Sequence, residues 1–141
     1  MSLVYWDSML FIYQFDNHPD FAPAVERIVE RMEARGDILC TSTFTVAEVL
    51  AGPWRDQAWD VVSKYRELFH SPDIRLLDFR LTTAEVFAEI RGRLGVSAAD
   101  AVHLACAAEA RVDLFLTHDR RLAGKVVPGI QFVADLAADI L

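Results

Sequence analysis

Cysteine is scarce in this sequence: only Cys40 and Cys106 occur, far apart and in no metal-ligating spacing. That excludes a disulfide framework and a cysteine-built zinc site, and it suits a reducing, cytoplasmic setting. Long apolar runs are missing too. None approaches the roughly 20 residues of a membrane-spanning helix, and no basic-then-apolar leader opens the chain, so no membrane association is expected. Positive charge is in deficit, with 14 Lys and Arg against 21 Asp and Glu and a net charge of −7. Such a chain is poorly suited to coat nucleic acid through a basic face. An enzyme that meets a phosphodiester through a metal ion stays open, because acids clustered to await a cation would themselves make the chain acidic. There is no glycine-rich phosphate loop, no Gly-x-Ser-x-Gly elbow, no internal repeat and no low-complexity stretch.

What is present fits one domain spanning residues 1–141 with a single core. Five short apolar runs end in polar residues: Leu3 to Trp6, Ile38 to Thr41, Ile74 to Leu77, Leu114 to Thr117, and Ile130 to Val133. Runs of this kind suit strands buried on both faces. Helical spacing lies between them: Phe21 to Arg35, Thr45 to Ala51 with a stop at Gly52-Pro53, Trp54 to Phe69, Thr82 to Leu94, and Ser97 to Ala110. The last is apolar nearly all round, which predicts a buried helix. Strands alternating with helices imply an α/β fold, a three-layer α/β/α sandwich around a parallel sheet. In such sheets functional groups gather beyond the carboxyl ends of the strands.

That rule sorts the acids. Asp7 follows the first strand and Asp119 the fourth; Glu48 lies in the helix leaving the second strand, and Asp100 opens the apolar helix. Each has a plain structural reading beside the functional one. Thr45-Val46-Ala47-Glu48 and Ser97-Ala98-Ala99-Asp100 read as capping boxes, as does Thr82-Thr83-Ala84-Glu85, where capping is the preferred reading. Asp7 and Asp119 suit turns or caps. Burial favours a cation: a carboxylate among apolar residues is costly unless compensated, and four acids at one edge repel one another. An oxygen-only donor set points to Mg²⁺ or Mn²⁺ rather than Zn²⁺. His103 and Cys106, one helical turn apart, are too few for zinc, and His103 reads as a core residue or a support for a ligand.

These residues resemble a known family. "VYWDSMLFIY" is similar to the opening of a PIN domain, an apolar strand ending in Asp and a small hydroxyl residue. "TSTFTVAEVLAG" resembles its second motif, centred on Glu48, and "IRGRLGVSAADAVHLACAAEARVDLFLTHDRRL" resembles the third block of VapC-like toxins. The resemblance implies an acidic site at Asp7, Glu48, Asp100 and Asp119, with Ser8 and Thr117 as hydroxyl companions. His118 stands where Asn is frequent. It also implies Mg²⁺- or Mn²⁺-dependent cleavage of RNA, a small VapB-like antitoxin as partner, and a homodimer.

On this reading Asp7 and Asp100 are the central ligands, Asp119 binds directly or through water, and Glu48 coordinates or acts as a base. His118 orients a carboxylate or touches substrate, beside the plainer and preferred reading of a solvated loop histidine. Arg91, Arg93, Arg120 and Arg121 flank two of the acids and are candidate phosphate contacts, with Arg91 first among them. The helices Phe21 to Arg35 and Trp54 to Phe69 are expected to border a partner groove, anchored by Trp54, Trp59, Tyr65 and Phe69; the plain alternative is that these aromatics fill the core. Two other classes compete. A phosphoacceptor or aspartyl-phosphate domain would want a second acid beside Asp7 or at Met9, and neither is present. The other is a PIN fold that binds partners without catalysis, against which the full set of acids argues.

Overall fold

The computed structural model describes residues 1–138 and Leu141. Five strands form one parallel sheet: β1 (Leu3–Trp6), β2 (Ile38–Ser42), β3 (Ile74–Leu77), β4 (Leu114–Thr117) and β5 (Phe132–Asp135), in the spatial order β3-β2-β1-β4-β5. Six helices complete the described residues: α1 (Ser8–Phe15), α2 (Ala22–Arg35), α3 (Thr43–Arg55), α4 (Trp59–Phe69), α5 (Leu81–Leu94) and α6 (Ala98–Glu109).

Alternation along the strands divides the core in two. Val4, Trp6, Leu114 and Leu116 face α1 to α4, with Phe11, Val25, Val49 and Tyr65. Tyr5, Cys40, Phe115 and Val133 face α5 and α6, with Ile90, Leu104 and Ala105. The α/β/α sandwich is therefore present. Cys40 and Cys106 are free and buried. Among the described residues no helix is long and apolar enough to cross a membrane.

Four local expectations need correction. The sequence reading places no helix after Asp7, yet α1 begins there, with Leu10, Phe11 and Tyr13 buried. Its run of Leu, Phe, Ile and Tyr lacks a polar face and resembles strand composition, so periodicity gives no warning. Helix α3 does not stop at Gly52-Pro53 but runs to Arg55, taking Trp54 with it and leaving α4 to begin at Trp59. Pro53 removes only the bond its own nitrogen would donate, and the Asp56 and Ala58 amides close the end on the Gly52 and Pro53 carbonyls at 3.0 and 2.9 Å. Strand β5 lies two residues later than expected: pairing runs from Leu114↔Phe132 to Thr117↔Asp135, while Ile130 turns back to the Val127 carbonyl at 3.0 Å. Glu85 is not a cap residue, because α5 starts at Leu81 and the Arg80 amide donates to Thr83 Oγ1 at 3.0 Å.

Candidate active site

The sheet order has a switch at β1, whose neighbours β2 and β4 lie on either side. Connections leave in opposite directions there, which opens a crevice at the carboxyl end. Asp7 emerges at this point. Its amide donates to the Leu116 carbonyl at 3.1 Å, continuing the β1–β4 ladder one step. Its side chain then caps α1: Oδ1 accepts from the Met9 amide at 3.0 Å. Oδ2 accepts from Thr117 Oγ1 at 2.5 Å. Burial raises the Asp7 carboxyl above its ordinary range, and these two bonds only partly oppose it.

Glu48 projects from the middle of α3. Ser42, not Thr45, caps that helix, with Oγ accepting from the Thr45 amide at 3.3 Å. The capping reading of Glu48 therefore fails. Glu48 Oε1 instead meets His103 Nε2 at 2.5 Å. Asp100 stands in the first turn of α6, where Ser97 Oγ accepts the Asp100 amide at 3.2 Å. Ser97 is thus a true cap, and it occupies the backbone of Asp100.

Asp119 follows β4. Its amide donates to Thr117 Oγ1 at 3.0 Å, so one hydroxyl links Asp7 and Asp119. Its carboxylate accepts from Arg121: Oδ1 from Nε at 3.1 Å and Oδ2 from Nη2 at 2.8 Å. Arg121 holds the Asp119 carboxyl below the usual carboxylate range.

Asp7, Glu48, Asp100 and Asp119 line one cavity of about 290 Å³, together with Ser8, Met9, Tyr13, His103 and His118. All four acids are thus brought to one place from four different segments. Each of Asp7, Glu48 and Asp119 is engaged by protein donors, and among the described residues no three ligating side chains form a ready coordination cluster. A PIN domain family model matches residues 4–126.

The chain belongs to the PIN domain family.

Solved structures of VapBC complexes are similar to it at low identity. A chain of VapBC2 from Rickettsia felis, bound to a promoter DNA fragment, superposes with a TM-score of 0.74 at 16% identity, covering 94% of this chain and 98% of that one. A chain of DNA-bound VapBC from Salmonella typhimurium gives 0.68 at 20% identity over 96% and 99%. VapBC-5 from Mycobacterium tuberculosis gives 0.64 at 19% identity over 96% and 99%. At such identities the likeness is one of fold. No curated protein matches the chain by sequence.

The remaining expected residues are placed unevenly in this PIN domain. Ser8 and His118 reach the cavity. The His118 ring packs on Tyr13 and Phe21, with centroids at 5.4 and 4.5 Å, and its Nδ1 is buried without a hydrogen-bond partner. The arginines do not converge. Arg91 Nη1 donates to the Val96 carbonyl at 2.6 Å, bracing the loop into α6. Arg93 pairs with Glu89 at 3.3 Å along α5. Arg120 is exposed, and only Arg121 engages one of the acids. Sequence reasoning missed Tyr13 as a cavity residue because it missed α1. His103 was legible as a support: it lies three residues after Asp100 in α6, a spacing that puts both on one side of the helix.

A larger hollow of about 760 Å³ lies elsewhere, between α2, the end of α4, β2 and β3, and none of the four acids lines it. Size favours that hollow as a binding place, but the chemistry favours the small one, where the carboxylates meet.

Proposed function

We propose that this PIN domain is a divalent-metal-dependent endoribonuclease and the toxin of a toxin–antitoxin pair. The observation that carries the reading is the meeting of Asp7, Glu48, Asp100 and Asp119 in one cavity at the carboxyl edge of the sheet. Half-buried Asp7 makes the fit specific. Its ionised form is disfavoured by burial, and a cation in the cavity would remove that penalty. The donor set is oxygen, and His103 is already committed to Glu48. These donors fit Mg²⁺ or Mn²⁺. Asp7 and Asp100 would hold the ion, with Asp119 and Glu48 completing the set.

An ion held there would supply activation of the attacking water and would neutralise charge developing on the phosphoryl oxygens. The chain's own residues orient the site. Thr117 holds Asp7 and the Asp119 backbone through one hydroxyl. The Arg120 and Arg121 side chains are solvent-facing beside Asp119 and suit phosphate groups of an RNA backbone.

For the partner, the 760 Å³ hollow offers a groove bordered by Val29 and Met32 of α2 and Leu68 of α4. Trp6 Nε1, buried and without a hydrogen-bond partner, belongs to the same lining. That groove would take a VapB-like antitoxin segment. The similar folds come from VapBC complexes, and a homodimer of this chain belongs to the same proposal.

The test is cleavage of a mixed RNA by the purified protein with Mn²⁺, with Mg²⁺, and with EDTA. Cleavage that needs the metal and is lost in Asp7→Asn supports the reading. Undiminished cleavage in EDTA, or no cleavage of any RNA with either ion, rejects it. The second outcome would favour a PIN fold that binds without cutting, a reading to which the Arg121–Asp119 pair lends some weight because it occupies one of the acids.

A further inference from the structure

From the cavity wall a chain of polar groups runs back into the core, from Glu48 through His103 and Tyr5 to Ser42. His103 is 4% exposed and Tyr5 is fully buried. His103 Nε2 meets Glu48 Oε1 at 2.5 Å, and His103 Nδ1 meets the Tyr5 hydroxyl at 2.7 Å. The Tyr5 hydroxyl reaches Ser42 Oγ at 2.9 Å. The tyrosine ring is held flat against Phe115, with centroids 4.9 Å apart and planes 7° from parallel. The relay joins four elements: β1, the end of β2, α6 and α3.

We infer that Tyr5 and His103 are positioning residues that fix Glu48 for metal binding. The inference rests on the metal-dependent reading above. An ionised carboxylate only accepts hydrogen bonds, so the short contact requires a proton on Nε2. The Tyr5 hydroxyl satisfies the other ring nitrogen in either protonation state. With a neutral ring, Tyr5 donates to Nδ1 and accepts from Ser42; with a charged ring, Nδ1 donates to Tyr5, which donates to Ser42. In both, Nε2–H points at Glu48. The outcome is a glutamate with one oxygen held and the second left for a ligand. Hydrogen-bonded supports of this type commonly change metal affinity by about 10- to 100-fold when removed.

Isothermal titration of the full chain with Mn²⁺ tests this. His103→Leu is expected to weaken binding about 10-fold. His103→Gln keeps an Nε2 donor in nearly the same place and should bind within about threefold of wild type, an order-of-magnitude bound on a retained hydrogen bond. In a Glu48→Gln background, His103→Leu should add no further loss. Equal affinity in His103→Leu and wild type overturns the proposal. So does a His103→Leu loss that persists in full in the Glu48→Gln background, since that would be general damage to the packing. If His103→Leu does not fold, Tyr5→Phe decides: it keeps the stacked ring and removes only the hydroxyl. A severalfold loss in Tyr5→Phe supports the relay, and unchanged affinity overturns it. Failure of the wild-type chain to bind Mn²⁺ at all is a different result. It removes the metal-dependent reading itself.

Discussion

Arg121 grips Asp119 with both arms of its guanidinium, Nε to Oδ1 at 3.1 Å and Nη2 to Oδ2 at 2.8 Å. The same carboxylate cannot serve this fork and a metal ion equally well, so the two compete. The arginine is largely exposed, so solvent screens the pair and its hold on the carboxylate is weak. Arg121→Gln is therefore expected to tighten Mn²⁺ binding by about two- to fivefold. Titration calorimetry reads this directly. Weaker binding would mean that Arg121 presents Asp119 to the ion instead of withholding it.

Asp7 gives a pH dependence of unusual sign for an acid. Burial raises its folded-state pKa above the unfolded value of about 3.9. The unfolded chain then loses its proton first, and stability falls as pH rises through the interval between the two values. Asp7→Asn removes the titration and keeps an acceptor for the α1 cap. In EDTA near pH 7 the variant should melt a few degrees above wild type, since ~1 kcal/mol moves a domain of this size by about 2–4 °C. The gap should close as pH falls below the unfolded value. Melts that show the same gap at every pH would remove the buried charge as its cause.

Asp100 and Ser97 separate ligand from cap at one helix start. Ser97 Oγ already accepts the Asp100 amide, so the Asp100 carboxylate is not needed for that bond. Asp100→Asn should melt at or above the wild-type temperature in EDTA, and should lose most of the rise that Mn²⁺ produces, along with RNA cleavage. At a hundredfold excess over its dissociation constant the ion is worth about 2.7 kcal/mol. Ser97→Ala should do the reverse: lose about 1 kcal/mol with or without metal and keep the metal-induced shift. An Asp100→Asn protein that is destabilised in EDTA but fully metal-responsive would make Asp100 a structural residue.

The four aromatics expected from the sequence to anchor a partner groove divide, and none of them lines the 760 Å³ hollow. Trp54 and Trp59 are 50% and 51% exposed, and pack edge to face at 4.7 Å across the α3–α4 corner. Tyr65 and Phe69 are buried, so for them the interface expectation is corrected to a core role. Trp59→Ala should leave the monomer's melting temperature within a few degrees and weaken a dimer or antitoxin complex. Tyr65→Ala should cost about 3–5 kcal/mol by analogy with other large buried aromatics. Thermal melts combined with sedimentation of the two variants distinguish the roles. Unfolding of Trp59→Ala would place that residue in the core.

Much of this molecule could be read before folding because burial leaves a local imprint. Leu3 to Trp6 and Leu114 to Thr117 are apolar on both strand faces and become polar at the next residue, so both the strand and its end are visible. Asp7 and Asp119 stand at those ends, and the rule for parallel sheets marks them without knowledge of neighbours. Where the imprint was ambiguous the reading slipped. Ser8–Phe15 is apolar on all sides and shows no period. Glu48 and Glu85 sit at capping-box spacing, but the helices begin two residues and one residue earlier than supposed. Local spacing identifies a cap only when the helix start is known.

The sequence by itself determined the parallel α/β/α architecture and the approximate place of the five strands, because these depend on side-chain periodicity within a few residues. The tertiary structure decided which groups the four acids answer to. Tyr5 and His103 are 98 residues apart and share a hydrogen bond; Glu48 and His103 are 55 apart. Thr117 and Asp7 are 110 apart. No local pattern encodes such pairs. They arise because β1 is placed between β2 and β4 and because α6 packs behind Tyr5, so that a hydroxyl and an imidazole buried from water must find polar partners or remain unsatisfied.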